Sequence, residues 1–144
     1  MFKKILIPVD GSVSSFDALD TGIDLANNLK ADIVIMTVVQ TTSVQGWSVD
    51  PDIKTGSDTV NEEKKMAAHI LDMAKIKEDK AIGNVEAYNK FGYPCDTIVE
   101  TAKSTGCDCI VIGSRGLSGI KHMLLGSVSE KVAQMSDIPV LIVK

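Results

Sequence analysis

Four glycines, Gly113, Gly116, Gly119 and Gly126, stand with the hydroxyls of Ser127 and Ser129 in one short stretch of the sequence. Residues without a Cβ let backbone N–H groups come close to an anion, and the unpaired N–H groups and dipole of a helix start favour phosphate oxygens. The stretch has the order such a site needs. Residues 109–112 are a short, β-branched apolar run that reads as a strand buried on both faces. Glycines then interrupt the pattern, and Gly126-Ser127-Val128-Ser129-Glu130 opens a helix, with Ser127 expected as N-cap and Glu130 closing a capping box. Phosphate held in this way needs no net positive charge. Arg115, Lys121 and His122 lie in the same loop, placed either to reach phosphates or to face solvent. At Gly126 a β-branched side chain is expected to occupy the phosphate's space and to disfavour the backbone conformation.

A second group with chemistry lies near the start of the chain. Residues 5–9 form a continuous apolar run ending in Asp10-Gly11-Ser12, a strand that stops at a turn. Pro8 cannot donate to a ladder, so it belongs at the strand's C-terminal tip, which is where open parallel sheets bind ligands. Asp10 would there accept from ribose hydroxyls or hold a divalent metal near phosphates, or else cap the first helix.

Other chemistries lack their residues. The glycine spacing is not G-x-G-x-x-G after the first strand, no G-x4-G-K-[ST] loop occurs, and there is no G-x-S-x-G elbow. His69 and His122 are far apart in sequence. Cys107 and Cys109, spaced to share one face of a strand, have no partners at zinc spacing; with Cys95 they read as small buried hydrophobes.

The elements that must position these groups alternate. Ser12 caps a helix whose apolar stripe is Phe16, Leu19, Ile23, Ala26 and Leu29, and residues 33–39 are a second unbroken apolar strand. The stretch 40–57, opened by Gln40 and closed by Ser57, has no period and carries the single tryptophan, Trp47; it is read as a lid or partner-binding loop or a surface excursion on the same sheet edge as Asp10. Asp58 is expected to cap the next helix, with Met66, Ile70, Met73 and Ala74 as its apolar face. Val85, Ala87 and Asn89 alternate with Glu86, Tyr88 and Lys90, the pattern of a half-buried edge strand. Pro94 opens a third helix and Gly106 ends it; a last helix, with Val128, Val132 and Met135 on one side, leads to a strand over 140–143. Five strands joined by helices imply a parallel α/β sheet with helices on both faces. Periodicity alone gives only this class; in the order 3-2-1-4-5, with the half-buried strand at one edge, the first and fourth strands would lie side by side at a switch point, with Asp10 and Gly113 on its crevice.

A chain of 144 residues with 44% hydrophobic content fits one domain, 1–144, with a sizeable core. A net charge of −4 and the lack of a basic run exclude a nucleic-acid binder, and no apolar stretch reaches the ~18 residues of a membrane span. The N-terminus, Met-Phe-Lys-Lys, runs straight into a strand without a signal-peptide pattern, so the expected location is cytoplasmic. The strand over 140–143 would be an exposed apolar edge in a monomer, which points to a homodimer through that strand.

The spacing Gly113-x2-Gly116-x9-Gly126-Ser127, together with the opening Ile5-Leu-Ile-Pro-Val-Asp-Gly-Ser12, resembles the universal stress protein family across essentially the whole chain. The resemblance implies the same strand order, a homodimer, and ATP, or AMP or ADP, as ligand, with a divalent cation such as Mg or Mn beside it. It also implies that Pro8, Val9, Asp10 and Val38 line the adenosine, that Gly113, Arg115 and Gly116 border ribose and phosphates, and that Gly126, Ser127, Val128 and Ser129 hold the phosphates. Three functions remain open on the sequence: a nucleotide-dependent regulatory protein, an ATPase or nucleotidyl-transfer enzyme using the same pocket, and an interaction module that binds no nucleotide. Without an evident general base or P-loop lysine, ATP hydrolysis is expected to be slow unless a partner assists.

Overall fold

The structure, a computed structural model, describes residues 1–40, 56–117 and 125–144, with the backbone alone for 56–60. Its elements run β1 (Lys4–Pro8), α1 (Val13–Leu29), β2 (Asp32–Val39), α2 (Gly56–Glu78), β3 (Val85–Phe91), α3 (Pro94–Thr105), β4 (Cys109–Gly113), α4 (Ser127–Met135) and β5 (Val140–Val143). The strands form one sheet in the order β3-β2-β1-β4-β5, every pair parallel, with β3 at one edge as its mixed composition requires.

Alternate side chains of each inner strand point to opposite faces, which divides the core in two. Ile5, Ile7, Ile33, Ile35 and Val111 meet α1 and α2 on one face. Leu6, Val34, Met36, Ile110 and Ile112 meet α3 and α4 on the other. At the lower end, the Asp108 carboxylate accepts from the Lys3 amide at 2.9 Å and the Lys4 amide at 3.1 Å, fastening the start of β1 to the start of β4. Beside it Lys4 donates to Glu86 at 2.8 Å and the Tyr88 hydroxyl donates to the same carboxylate at 2.6 Å. The hydrogen bond to Glu86 raises the Lys4 pKa, and the reciprocal contact lowers that of Glu86.

Upward the sheet splits. β1 pairs with β4 only at Ile5 and Leu6, whereas its pairing with β2 continues to Pro8, and β4 follows β5 to Gly113. Pro8, with no N–H to offer, stands where the β1–β4 ladder has already ended, so the two strand tips diverge.

Helix ends follow local chemistry in part. Ser12 caps α1, accepting from the Ser15 amide at 3.1 Å; Pro94 is the first residue of α3 and Gly106 closes it at φ 71°. α2 begins at Gly56, so Asp58 lies inside its first turn and is not the expected cap. Its buried face is Ala67, Ile70, Leu71 and Ala74, while Met66 and Met73 are 61% and 43% exposed, a correction to the expected stripe. α4 also differs: its N-cap is Gly126 and Ser127 is already helical, so no capping box forms, and Met135 is exposed while Val132 is buried.

Cys107 and Cys109 go to opposite cores rather than to one face, because Asp108 turns aside to the Lys3 and Lys4 amides and Cys107 precedes the strand. Both are buried free thiols, and burial pushes the Cys109 thiol up to about 11, which disfavours a thiolate. Among the described residues no cluster of three or more His, Cys, Asp or Glu is placed to hold a metal ion, and no helix is long and apolar enough to cross a membrane.

Candidate functional site at the split between β1 and β4

The diverging tips of β1 and β4 open a cleft of about 510 Å³. Pro8, Val9 and Asp10 enter it from β1, Val38 from β2, Gly113, Arg115 and Gly116 from the end of β4 and its loop, and Gly126, Ser127, Val128 and Ser129 from the start of α4. The fold thus brings together all of these residues singled out by sequence. Lys121, His122 and Gly119, and residues 41–55 with Trp47, lie outside the described residues; Gln40, at the start of that stretch, lines the cleft.

Each described glycine of the loop has a measurable reason. A Cβ at Gly113 would sit 2.6 Å from the Ser14 carbonyl oxygen, so the last residue of β4 passes directly under the first turn of α1. At Gly116 it would lie 3.1 Å from Oδ2 of Asp10, and at Gly126 3.3 Å from the Ser114 carbonyl oxygen. Gly126 has φ −74°, an extended conformation open to any residue, so its requirement is one of space and not of backbone strain, contrary to the sequence expectation.

Hydrogen bonds fix the loop's two arms. The Gly126 amide donates to Ser114 O at 2.6 Å, the Ser114 amide donates to Val143 O at 2.7 Å, and the Arg115 amide donates to Ser14 Oγ at 3.3 Å. The buried Ser129 hydroxyl lies 3.1 Å from Ser114 O and 3.0 Å from Gly126 O. The Glu130 amide donates to Gly126 O, the first bond of α4, leaving the amides of Ser127, Val128 and Ser129 without helical partners at the cleft. Across from them Asp10 does two things at once. Its Oδ1 accepts from the Ser12 amide at 2.9 Å, ordering the turn into α1, while its Oδ2 is directed to Gly116 and has no hydrogen-bond partner among the described residues. Arg115, exposed, is the one cation among the described lining residues.

One wall was not foreseen. Glu63, Met66, Ala67 and Ile70 of α2 and Pro94 and Ile98 of α3 also line the cleft, together with Met36, Thr37 and Ile112 at the strand ends. For α2 a signal existed: the stretch leading into it leaves the same sheet edge. The resulting surface has an apolar side, made by Val9, Val38, Ile70 and Ile98, and a side of outward-facing amides at α4. It can hold a flat apolar group next to an anion.

An open doubly wound α/β sheet, split at its switch point and bordered there by a glycine loop and a helix start, defines the class of this protein. The chain belongs to the universal stress protein family, which it matches over residues 1–144. It is 41% identical over 149 residues to the universal stress protein YxiE of Bacillus subtilis, covering 100% of both chains. Among solved structures, the universal stress protein UspA from Lactobacillus plantarum superposes with a TM-score of 0.82 at 23% identity, over 99% of this chain and 97% of that one, a likeness of fold. A universal stress protein crystallised in complex with cAMP is 32% identical, with a TM-score of 0.73, over 99% of this chain and 97% of that one.

Proposed function

We propose that the cleft binds an adenine nucleotide, ATP foremost, and that the protein acts in the stress response as a nucleotide-dependent switch. The observation that carries this reading is the set of three amides at the start of α4 with no helical partner among the described residues, which line with Asp10 a cleft of nucleotide size. The cAMP complex of a relative supports the adenine class. In this reading Pro8, Val9 and Val38 pack on the adenosine, Asp10 Oδ2 accepts from ribose hydroxyls or from water on a divalent cation such as Mg or Mn, Gly113, Arg115 and Gly116 border the ribose and phosphates, and the residues from Gly126 to Ser129 surround the phosphates.

Calorimetry with ATP, AMP and adenosine, beside mass spectrometry of what the freshly purified protein releases on denaturation, tests the reading. Saturable ATP binding that weakens as phosphates are removed is expected; binding of none of the three overturns it. Hydrolysis is expected to stay below about 1 per second in single-turnover measurements, since amides that hold ground-state phosphate lower no barrier by themselves. Faster turnover that is lost in Asp10→Ala would instead make this an enzyme.

The same reading includes a homodimer in the cytoplasm. β5 is an edge strand of the sheet, and its Leu141 is 40% exposed, an apolar edge that isologous pairing with a second copy would cover. Light scattering at micromolar concentration is expected to give twice the mass of the chain; a monomer whose β5 amides are protected from exchange would overturn this. Residues 40–57 are proposed as the place where a protein partner docks.

A further inference from the structure

We infer that Ser129 is a positioning residue that braces the two arms of the glycine loop. The brace stands apart from the nucleotide reading, on which only its effect on ligand affinity rests. A serine hydroxyl has one proton, and that of Ser129 lies between two carbonyl oxygens, 3.1 Å from Ser114 O and 3.0 Å from Gly126 O. Ser129 is 2% exposed, so no water replaces those contacts. Phosphate oxygens in an ionised nucleotide are acceptors and need donors, which a hydroxyl already turned to two carbonyls does not supply. Ser127, two residues earlier, is exposed at the mouth of the cleft and has no side-chain hydrogen bond within the described residues.

The carbonyl of Ser114 is the junction. It accepts from the Gly126 amide at 2.6 Å and from Ser129, so the arm that follows β4 and the arm that enters α4 are joined by two bonds to one oxygen. Ser129 also touches the N-cap carbonyl of its own helix, which makes it a three-way tie between loop, cap and first turn. Removing the hydroxyl leaves the arms joined by the Gly126 amide alone. Ser114 O stays paired, so the loss loosens the opening between the arms and leaves the core as it is.

The test separates brace from ligand by looking first at the protein without nucleotide. In Ser129→Ala the Gly126 amide is expected to exchange with solvent about tenfold faster by NMR, while the Ile110 amide in β4 keeps the parent rate; Ser127→Ala is expected to change neither. With ATP, Ser129→Ala is expected to bind about tenfold more weakly while adenosine binds as to the parent, and Ser129→Thr, which keeps the hydroxyl, is expected to restore both exchange and affinity. Unchanged Gly126 exchange in ligand-free Ser129→Ala would overturn the brace, and with a loss of ATP affinity it would make Ser129 a direct ligand. Acceleration in a protein that binds no ATP would uphold the brace and discard the nucleotide reading. If Ser129→Ala does not fold, Ser129→Cys, with its weaker donor, gives the same readout in graded form.

Discussion

Gly126→Val is expected to abolish ATP binding, with affinity falling about a hundredfold or more, or ~2.7 kcal/mol. Gly126 lines the cleft between the Ser114 carbonyl and the first free amides of α4. A Cβ there would already stand 3.3 Å from Ser114 O, 3.5 Å from the Arg115 Cα and 3.6 Å from the Gly116 nitrogen. All three are backbone atoms, so the neighbour that must give way is the loop itself. The two methyl groups of valine extend from that crowded position into the space proposed for the phosphates. The φ of −74° means that the helix start itself can form, so the variant should fold, with a stability loss of about 1–3 kcal/mol from overpacking. Calorimetry on the folded variant checks the claim, with Gly126→Ala as an intermediate case. Equal ATP affinity in variant and parent would sink the assignment of the phosphate site.

Gly113→Ala is expected to be the most damaging single methyl addition among the described glycines of the loop. Its Cβ would fall 2.6 Å from both the carbonyl oxygen and the hydroxyl of Ser14 and 2.7 Å from the Ser14 carbonyl carbon. The first turn of α1 must lift off the end of β4, and with it goes the Arg115 amide bond to Ser14 Oγ. Overpacking of this kind costs about 1–3 kcal/mol, and contact with backbone puts Gly113→Ala at the upper end. Gly116→Ala is the control: among the described residues its Cβ meets only the end of the Asp10 side chain, at 3.1 Å. Urea denaturation should show a large loss for the first and a small one for the second. A loss under about 0.5 kcal/mol for Gly113→Ala with an unchanged m-value would mean that α1 yields freely at Ser14.

The residues of the cleft were legible because each carries its signal locally. A β-branched run ending at glycine, or an apolar run ending in Pro-Val-Asp-Gly-Ser, marks a strand tip wherever the strand lies, and strand order then puts tips together. The α2 wall was not legible in that way. Met66, Ala67, Ile70, Leu71, Met73, Ala74 and Ile76 spread apolar side chains around much of the helix, so periodicity admits more than one buried face, and the one buried is that of Ala67, Ile70, Leu71 and Ala74. The misplaced cap on α4 has a similar origin. Ser127 and Glu130 have capping-box spacing, but Gly126 already serves as N-cap and the loop hydroxyl that matters is Ser129, turned inward to carbonyls that no local pattern predicts. For Cys107 and Cys109 the alternation rule was applied two residues too early, before the strand had begun.

The position of β1 has a consequence for how the molecule comes into being. It is the first strand synthesised and the middle strand of the sheet, and the bond between the Lys4 amide and Asp108 spans 104 residues of chain. Until β4 has left the ribosome, the nascent half made of β1, α1, β2, α2 and β3 presents the far side of β1 as an open, wholly apolar edge at Ile5, Leu6 and Ile7, residues that end with no solvent exposure at all. Such high contact order slows folding and prolongs the time in which that edge can pair wrongly with another nascent chain. The cleft, with walls drawn from β1 and from the start of α4, therefore takes shape only after α4 has been made, late in the order of synthesis.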